Sequence, residues 1–181
     1  MKEKFLEHIQ NRVAETCVGA SSLRNQGAGG VLKVVREYFA TMPLDMFVAP
    51  TEERFLVVLN NETEKLRRLL PQSAQNWGTA RKAINLFLRD ALYNRYLSEH
   101  YGLDRIEAFL EIPLDGDVAG ELHDPKGELH NLKGDDLPRW KSIKSLSESE
   151  SSLYQAKAQR HAQGLGVNRV HLDLIWWRAK K

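Results

Sequence analysis

NWGTARKAINLFLRDALYNRYLSEHYGLDRIEAFLEIPLDGDVA, residues 76–119, is the stretch that decides the fold. From Thr79 to about His100 the large apolar residues Ile84, Leu86, Phe87, Leu88, Leu92, Tyr93, Tyr96 and Leu97 recur mainly at steps of three and four, the period of an α-helix. Asn76 and Thr79 are residue types that cap helix N-termini, and Gly102 stands where a C-terminal cap belongs. The pattern predicts one long amphipathic helix with Lys82 in its first turn, beside Arg81. The partial positive charge of a helix N-terminus disfavours an extra cation, and burial disfavours it further, so this lysine is expected to be more readily neutral than a free one. A neutral lysine attacks electrophilic carbon.

Asp115 lies thirty-three residues further on, after Ile112, Pro113 and Leu114 and before Gly116, Asp117 and Val118. It reads as the N-cap of a short helix, where backbone N–H donors and the helix dipole keep a carboxylate ionised. Such a carboxylate suits the stabilisation of an oxocarbenium-like sugar while its base departs. The residues alone leave the plainer reading open, since a first-turn lysine is often a solvated charge and an aspartate before a helix is often only a cap.

Outward from this stretch every segment reads as helix or loop. Residues 4–18 predict a helix with Phe5, Leu6, Ile9, Val13 and Cys17 inward. Residues 30–42 predict a second, stopped by Pro43, with Val31, Val34, Val35, Tyr38 and Phe39 inward. Residues 51–70 predict a third, with Phe55, Leu56, Val58, Leu59, Leu66 and Leu69 as its stripe. A short helix over 104–110 leads into Ile112. The Ser and Glu run 145–150 caps a helix over about 149–163 that Gly164-Leu165-Gly166 ends, and a last helix covers 168–179. The fold class expected is all-α, as a single domain over 1–181.

Two loops stand out. Residues 21–30, SSLRNQGAGG, combine three glycines with Asn25 and Gln26, side chains able to bond base edges or simply to fill an interhelical loop. No strand precedes this glycine-rich run, so it is not a dinucleotide fingerprint. Residues 123–139, HDPKGELHNLKGDDLPR, form a long polar loop whose two histidines match no standard metal spacing, so no metal is expected. Trp176 and Trp177 are adjacent on the last predicted helix and point about 100° apart, so only one can face a core squarely.

The segments Gly78-Thr79-Ala80-Arg81-Lys82 and Pro113-Leu114-Asp115-Gly116-Asp117-Val118-Ala119 resemble the helix-hairpin-helix DNA glycosylase superfamily. In that family a glycine-containing hairpin supplies a lysine, and a Pro-Val-Asp-x-x-Val-like segment downstream supplies an aspartate. The long gap between them is most similar to the archaeal 8-oxoguanine DNA glycosylase branch. Here Gln75-Asn76-Trp77-Gly78 replaces the usual Leu-Pro-Gly-x-Gly hairpin. The resemblance implies two helical lobes around a central cleft and a monomer acting on double-stranded DNA without metal or redox cofactor. The implied activity is base excision, 8-oxoguanine favoured, coupled to abasic-site cleavage. Lys82 would be the Schiff-base nucleophile and Asp115 its carboxylate partner. Gln26 or Asn25 would meet the flipped base or the gap it leaves, Trp176 or Trp177 would stack on the base, and Asp173 would touch the site. Arg24, Gly78, Thr79 and Arg81 would contact the DNA backbone. A glycosylase for another modified base, such as a modified pyrimidine of phage DNA, and a non-catalytic helical DNA-binding module are the rival readings.

Composition sets the frame. A net charge of +2 gives a polyanion little global attraction, so any DNA-binding surface must be a local basic face. The pieces are Lys33 and Arg36, Lys65, Arg67 and Arg68, Arg89 and Arg95, Arg139, Lys141 and Lys144, and Arg178, Lys180 and Lys181, any of which could equally be a solvated face. The single Cys17 rules out an internal disulfide. No apolar run approaches a membrane span and MKEKFLEHIQ has no signal-peptide core, so the expectation is a cytoplasmic protein with no membrane partner. No internal repeat is visible, which argues against a solenoid.

Overall fold

The computed structural model describes residues 2–19, 21–23, 29–123 and 137–176, and those residues contain helices, turns and extended links but no strand. Eight α-helices follow one another: α1 Lys2–Cys17, α2 Val31–Thr41, α3 Glu52–Leu69, α4 Trp77–Tyr93, α5 Arg95–Tyr101, α6 Gly116–Leu122, α7 Glu148–Leu165 and α8 Leu172–Trp176. Short 3-10 turns at Leu44–Phe47, Gln72–Ala74, Leu103–Phe109, Ile143–Ser145 and Arg169–His171 join them. The all-α expectation is met. No helix among the described residues is long and apolar enough to cross a membrane.

The long central helix is a finding against the sequence reading. It begins at Trp77, two residues early, and breaks at Asn94, whose side chain accepts a hydrogen bond from Leu97 N and so starts a new helix. A capping side chain thus overrides a hydrophobic pattern that runs on unbroken. Gly102, at φ 72°, ends α5 as expected, in the left-handed conformation that suits glycine.

α4 is buried all round. Every residue from Gly78 to Leu88 is buried, polar ones included, because α1, α3, α7 and the 3-10 turn at Ile143–Ser145 pack around it. A helix this enclosed cannot be read from an amphipathic stripe. Two apolar clusters result. The larger joins α1 to α5 and includes the stacked rings of Phe39 and Phe87, 4.5 Å apart. The smaller gathers Ile112, Leu114, Val118, Leu122, Leu146, Tyr154, Ala158 and Leu172 from α6, α7, α8 and their approaches. Phe5 and Leu69, expected inside, are exposed, and Phe5 packs its ring edge-on against Tyr96. On α3 the polar Glu62 and Thr63 are buried, the carboxylate accepting from the Tyr38 hydroxyl.

Candidate active site

The chain between Lys82 and Asp115 runs out along α4 and α5, turns, and returns as an extended link. Arg169 fixes that link by donating to the carbonyls of Leu110 at 3.0 Å and Phe109 at 2.8 Å. Gln155 of α7 then satisfies both backbone groups of Ile112, accepting from its N–H at 3.1 Å and donating to its carbonyl at 2.9 Å. The next residues, Pro113 and Leu114, deliver Asp115 to the start of α6.

Asp115 is the N-cap the sequence predicts. Its Oδ1 accepts from the backbone N–H groups of Asp117 and Val118, both at 3.0 Å. Its Oδ2 accepts from Lys82 Nζ at 3.0 Å. Lys82 sits in the second turn of α4 rather than the first, and its side chain is only 8 % exposed against 35 % for Asp115. The amine is therefore held on a rigid, enclosed helix, and the carboxylate opens toward solvent.

Both groups line a cleft of about 380 Å³ together with Cys17, Ser21, Ser22, Leu86, Arg89, Pro113, Asp117, Asp173 and Leu174. That volume falls within the range of about 300–1,000 Å³ usual for ligand pockets. Asp173, expected to touch the site, is there and pairs with Arg89, which also binds Asp90 at 2.8 Å. Burial pushes the Asp173 carboxyl above the ordinary aspartate range; Arg89 opposes, Asp115 adds to the rise and Lys82 opposes it. The charges of Lys82, Asp115 and Asp173 thus act on one another across one space. Burial also pushes the Cys17 thiol up to about 12, which keeps it in the inert neutral form.

The 3-10 turn ahead of α8 is held to the end of α4 and to the turn at Leu103–Phe109 by a second polar chain. The Tyr93 hydroxyl and His171 Nδ1 are 2.8 Å apart, His171 Nε2 and Glu107 Oε1 are 2.8 Å apart, and Asn168 donates to the same carboxylate at 2.7 Å. Burial raises the Glu107 carboxyl, but the bonds from His171 and Asn168 outweigh it and leave the group below the usual glutamate range.

Four of the other expected site residues are corrected by the structure. Arg81 does not face a phosphate. It is buried, bidentate to Glu111 at 2.8 and 2.9 Å, with further bonds to Asn60 at 2.7 Å and Thr63 at 3.1 Å. Gly78 and Thr79 do not form an exposed hairpin either: both are buried, and the carbonyl of Ile143 lies so close that a Cβ on Gly78 would stand 2.2 Å from it. The chain at 143–146 thus packs on the first turn of α4 at Gly78. Trp176 does not line the cleft; its ring lies 5.3 Å from His161 and packs on the smaller cluster. Arg24, Asn25, Gln26 and Trp177 lie outside the described residues.

The sequence reading missed Leu86 and Arg89 as cleft residues, although they follow Lys82 by four and seven positions, which places all three on one helix face. It also missed the buried Arg81–Glu111–Asn85 network, for which the sequence carries no local signal. Neither family models, nor curated proteins, nor solved structures give a match to this chain.

Proposed function

We propose that the protein is a DNA base-excision enzyme of the helix-hairpin-helix glycosylase type, which removes a damaged base, 8-oxoguanine favoured, and cleaves the abasic site through a Schiff base on Lys82. The observation that carries the reading is the 3.0 Å approach of Lys82 Nζ to Asp115 Oδ2 at the wall of an open cleft. The resemblance of the two segments around these residues to that superfamily also supports it.

The steps follow from the pair. The target nucleotide rotates out of the duplex into the cleft. Lys82 passes a proton to solvent and its lone pair attacks C1′, while Asp115 stays ionised. The bond from C1′ to the base breaks with its electrons on the base, which leaves after protonation. Asp115, fixed by two backbone N–H groups, opposes the positive charge that develops at the sugar. Opening of the sugar ring gives the imine. Loss of a C2′ proton then expels the 3′ phosphate and nicks the strand. Asp173, with its raised carboxyl, stands across the cleft where it can bond the extruded base.

A second reading has its own observation. Lys82 is nearly enclosed beside Ala83 and Ile84 of the larger cluster, and Asp115 stands between Leu114 and Val118 of the smaller one, so the ion pair also ties the two halves of the core together. In that reading the pair is structural and the protein is a helical DNA-binding module. Borohydride trapping separates the two, on duplexes carrying 8-oxoguanine or an abasic site, with a Lys82→Gln variant alongside. A covalent adduct that the variant cannot form supports the enzyme. Its absence from both duplexes sinks the lysine mechanism and leaves the module.

A further inference from the structure

We propose that the strip at residues 139–144, an extended link that runs into the 3-10 turn at Ile143–Ser145, grips the phosphodiester backbone of duplex DNA beside the Lys82–Asp115 pair, taking the place of the buried hairpin surface; this rests on the reading of the protein as DNA-acting. Residues 137–146, LPRWKSIKSL, contain three cations and no acid, and Arg139, Lys141 and Lys144 are all exposed.

What distinguishes these three is that they lie together, within six residues of one strip. Lys33, Lys65, Arg67 and Arg95, by contrast, are neutralised on their own helices, by Glu37, Glu62, Glu64 and Glu99. Arg139, Lys141 and Lys144 make no ion pair among the described residues. The acid that Lys141 feels, Glu150, is engaged by the N–H of Ser147 at 3.0 Å and its hydroxyl at 2.8 Å.

The strip is also pre-organised. The Tyr154 hydroxyl donates to the Pro138 carbonyl at 2.6 Å, and the Trp140 ring stands edge-on to Tyr154 at 5.5 Å. Ile143 presses on Gly78, Leu146 is buried in the smaller cluster, and a Ser147–Glu150 capping box opens α7 directly after. Cations on so fixed a backbone lose little freedom when they meet a phosphate.

Its position completes the argument. Trp140 Nε1 lies 3.6 Å from where a Cβ on Gly116 would be, so the strip abuts the residue that follows Asp115. The cleft itself sets Asp115, Asp117 and Asp173 against Lys82 and Arg89. That balance admits a base and repels a phosphate, which has to rest on a basic rim.

The test is a salt titration of binding to a duplex bearing a tetrahydrofuran abasic analogue, read by fluorescence anisotropy. Each phosphate contact contributes a slope of about 0.9 in log affinity against log salt. Replacing all three residues, R139Q/K141Q/K144Q, is expected to flatten the slope by roughly 2–3, whereas R95Q/R105Q on another face leaves it unchanged. Trapping on a duplex with a natural abasic site, whose C1′ aldehyde can form the imine that tetrahydrofuran cannot, is expected to survive at saturating DNA in the triple variant, while Lys82→Gln keeps the salt slope and loses trapping. A folded triple variant with the wild-type slope overturns the proposal, and so does a wild-type protein that does not bind the duplex. Wild-type binding with the steep slope but no trapping retains the strip and removes the lysine chemistry.

Discussion

Lys82 Nζ stands 3.0 Å from one carboxylate oxygen of Asp115, and the other oxygen holds the first turn of α6 through two backbone N–H groups. One side chain therefore serves both the start of a helix and the proposed chemistry, and the two roles separate by substitution. Asp115→Asn loses the ion pair but keeps a capping oxygen, so it is expected to be more stable than Asp115→Ala while lowering trapping by on the order of 100-fold. Asp115→Ala loses both, with about 1 kcal/mol of stability gone. Urea unfolding alongside trapping checks the pair; equal stability of the two variants would contradict the capping role.

Gly78 and Gly120 make opposite predictions. A Cβ on Gly78 meets the Ile143 carbonyl at 2.2 Å, a backbone atom that cannot swing away, so Gly78→Ala is expected to cost about 1–3 kcal/mol. Gly120 lies within α6 with nothing within 4 Å of its added Cβ. Gly120→Ala is expected to stabilise by about 0.5–1 kcal/mol, since alanine loses less backbone freedom in a helix. Thermal unfolding of the two variants decides it.

Arg81 is a buried strut. Its bidentate bond to Glu111, its bonds to Asn60 and Thr63, and its position 5.1 Å from the Trp77 ring fill its surroundings. Arg81→Ala leaves the Glu111 carboxylate enclosed without its ion-pair partner, with only the Asn85 bond and the charge of Arg169 remaining, which is expected to cost about 3 kcal/mol. A loss below 1 kcal/mol in chemical denaturation would show that water enters and replaces the guanidinium.

The positions of these residues explain what the sequence disclosed. Period and caps placed Asp115 before α6, Gly102 and Gly166 at helix ends and the Ser and Glu run 145–150 at the start of α7, because each depends on neighbours within a few residues. Arg81 was misread for the opposite reason. Its partners Asn60, Thr63 and Glu111 come from distant parts of the chain, and nothing local distinguishes a guanidinium that meets them from one that meets a phosphate. Gly78 was misread because the Ile143 carbonyl that covers it arrives from far along the chain. Lys82 and Asp115 were legible as a pair only through the resemblance, since their spacing alone does not determine that the chain turns back between them.

Acid titration should separate two carboxylates on either side of α4. Burial pushes the Glu111 carboxyl up, but the charge and bonds of Arg81 and the bond from Asn85 outweigh it, so the group lies below the usual glutamate range when folded. A lowered folded value gives stability that is present above the unfolded value, about 4.3, and lost as pH falls through the folded one. Asp173 lies above the usual aspartate range because of burial. Its contribution is complete below about 3.9 and is lost as pH rises through the folded value. The variants therefore move oppositely. The deficit of Glu111→Gln against wild type is expected to shrink as pH falls below about 4, whereas Asp173→Asn gains on wild type as pH rises from about 4 toward 7. Denaturation midpoints across that range test both, and the same direction of change in the two variants would contradict the opposed environments of Glu111 and Asp173.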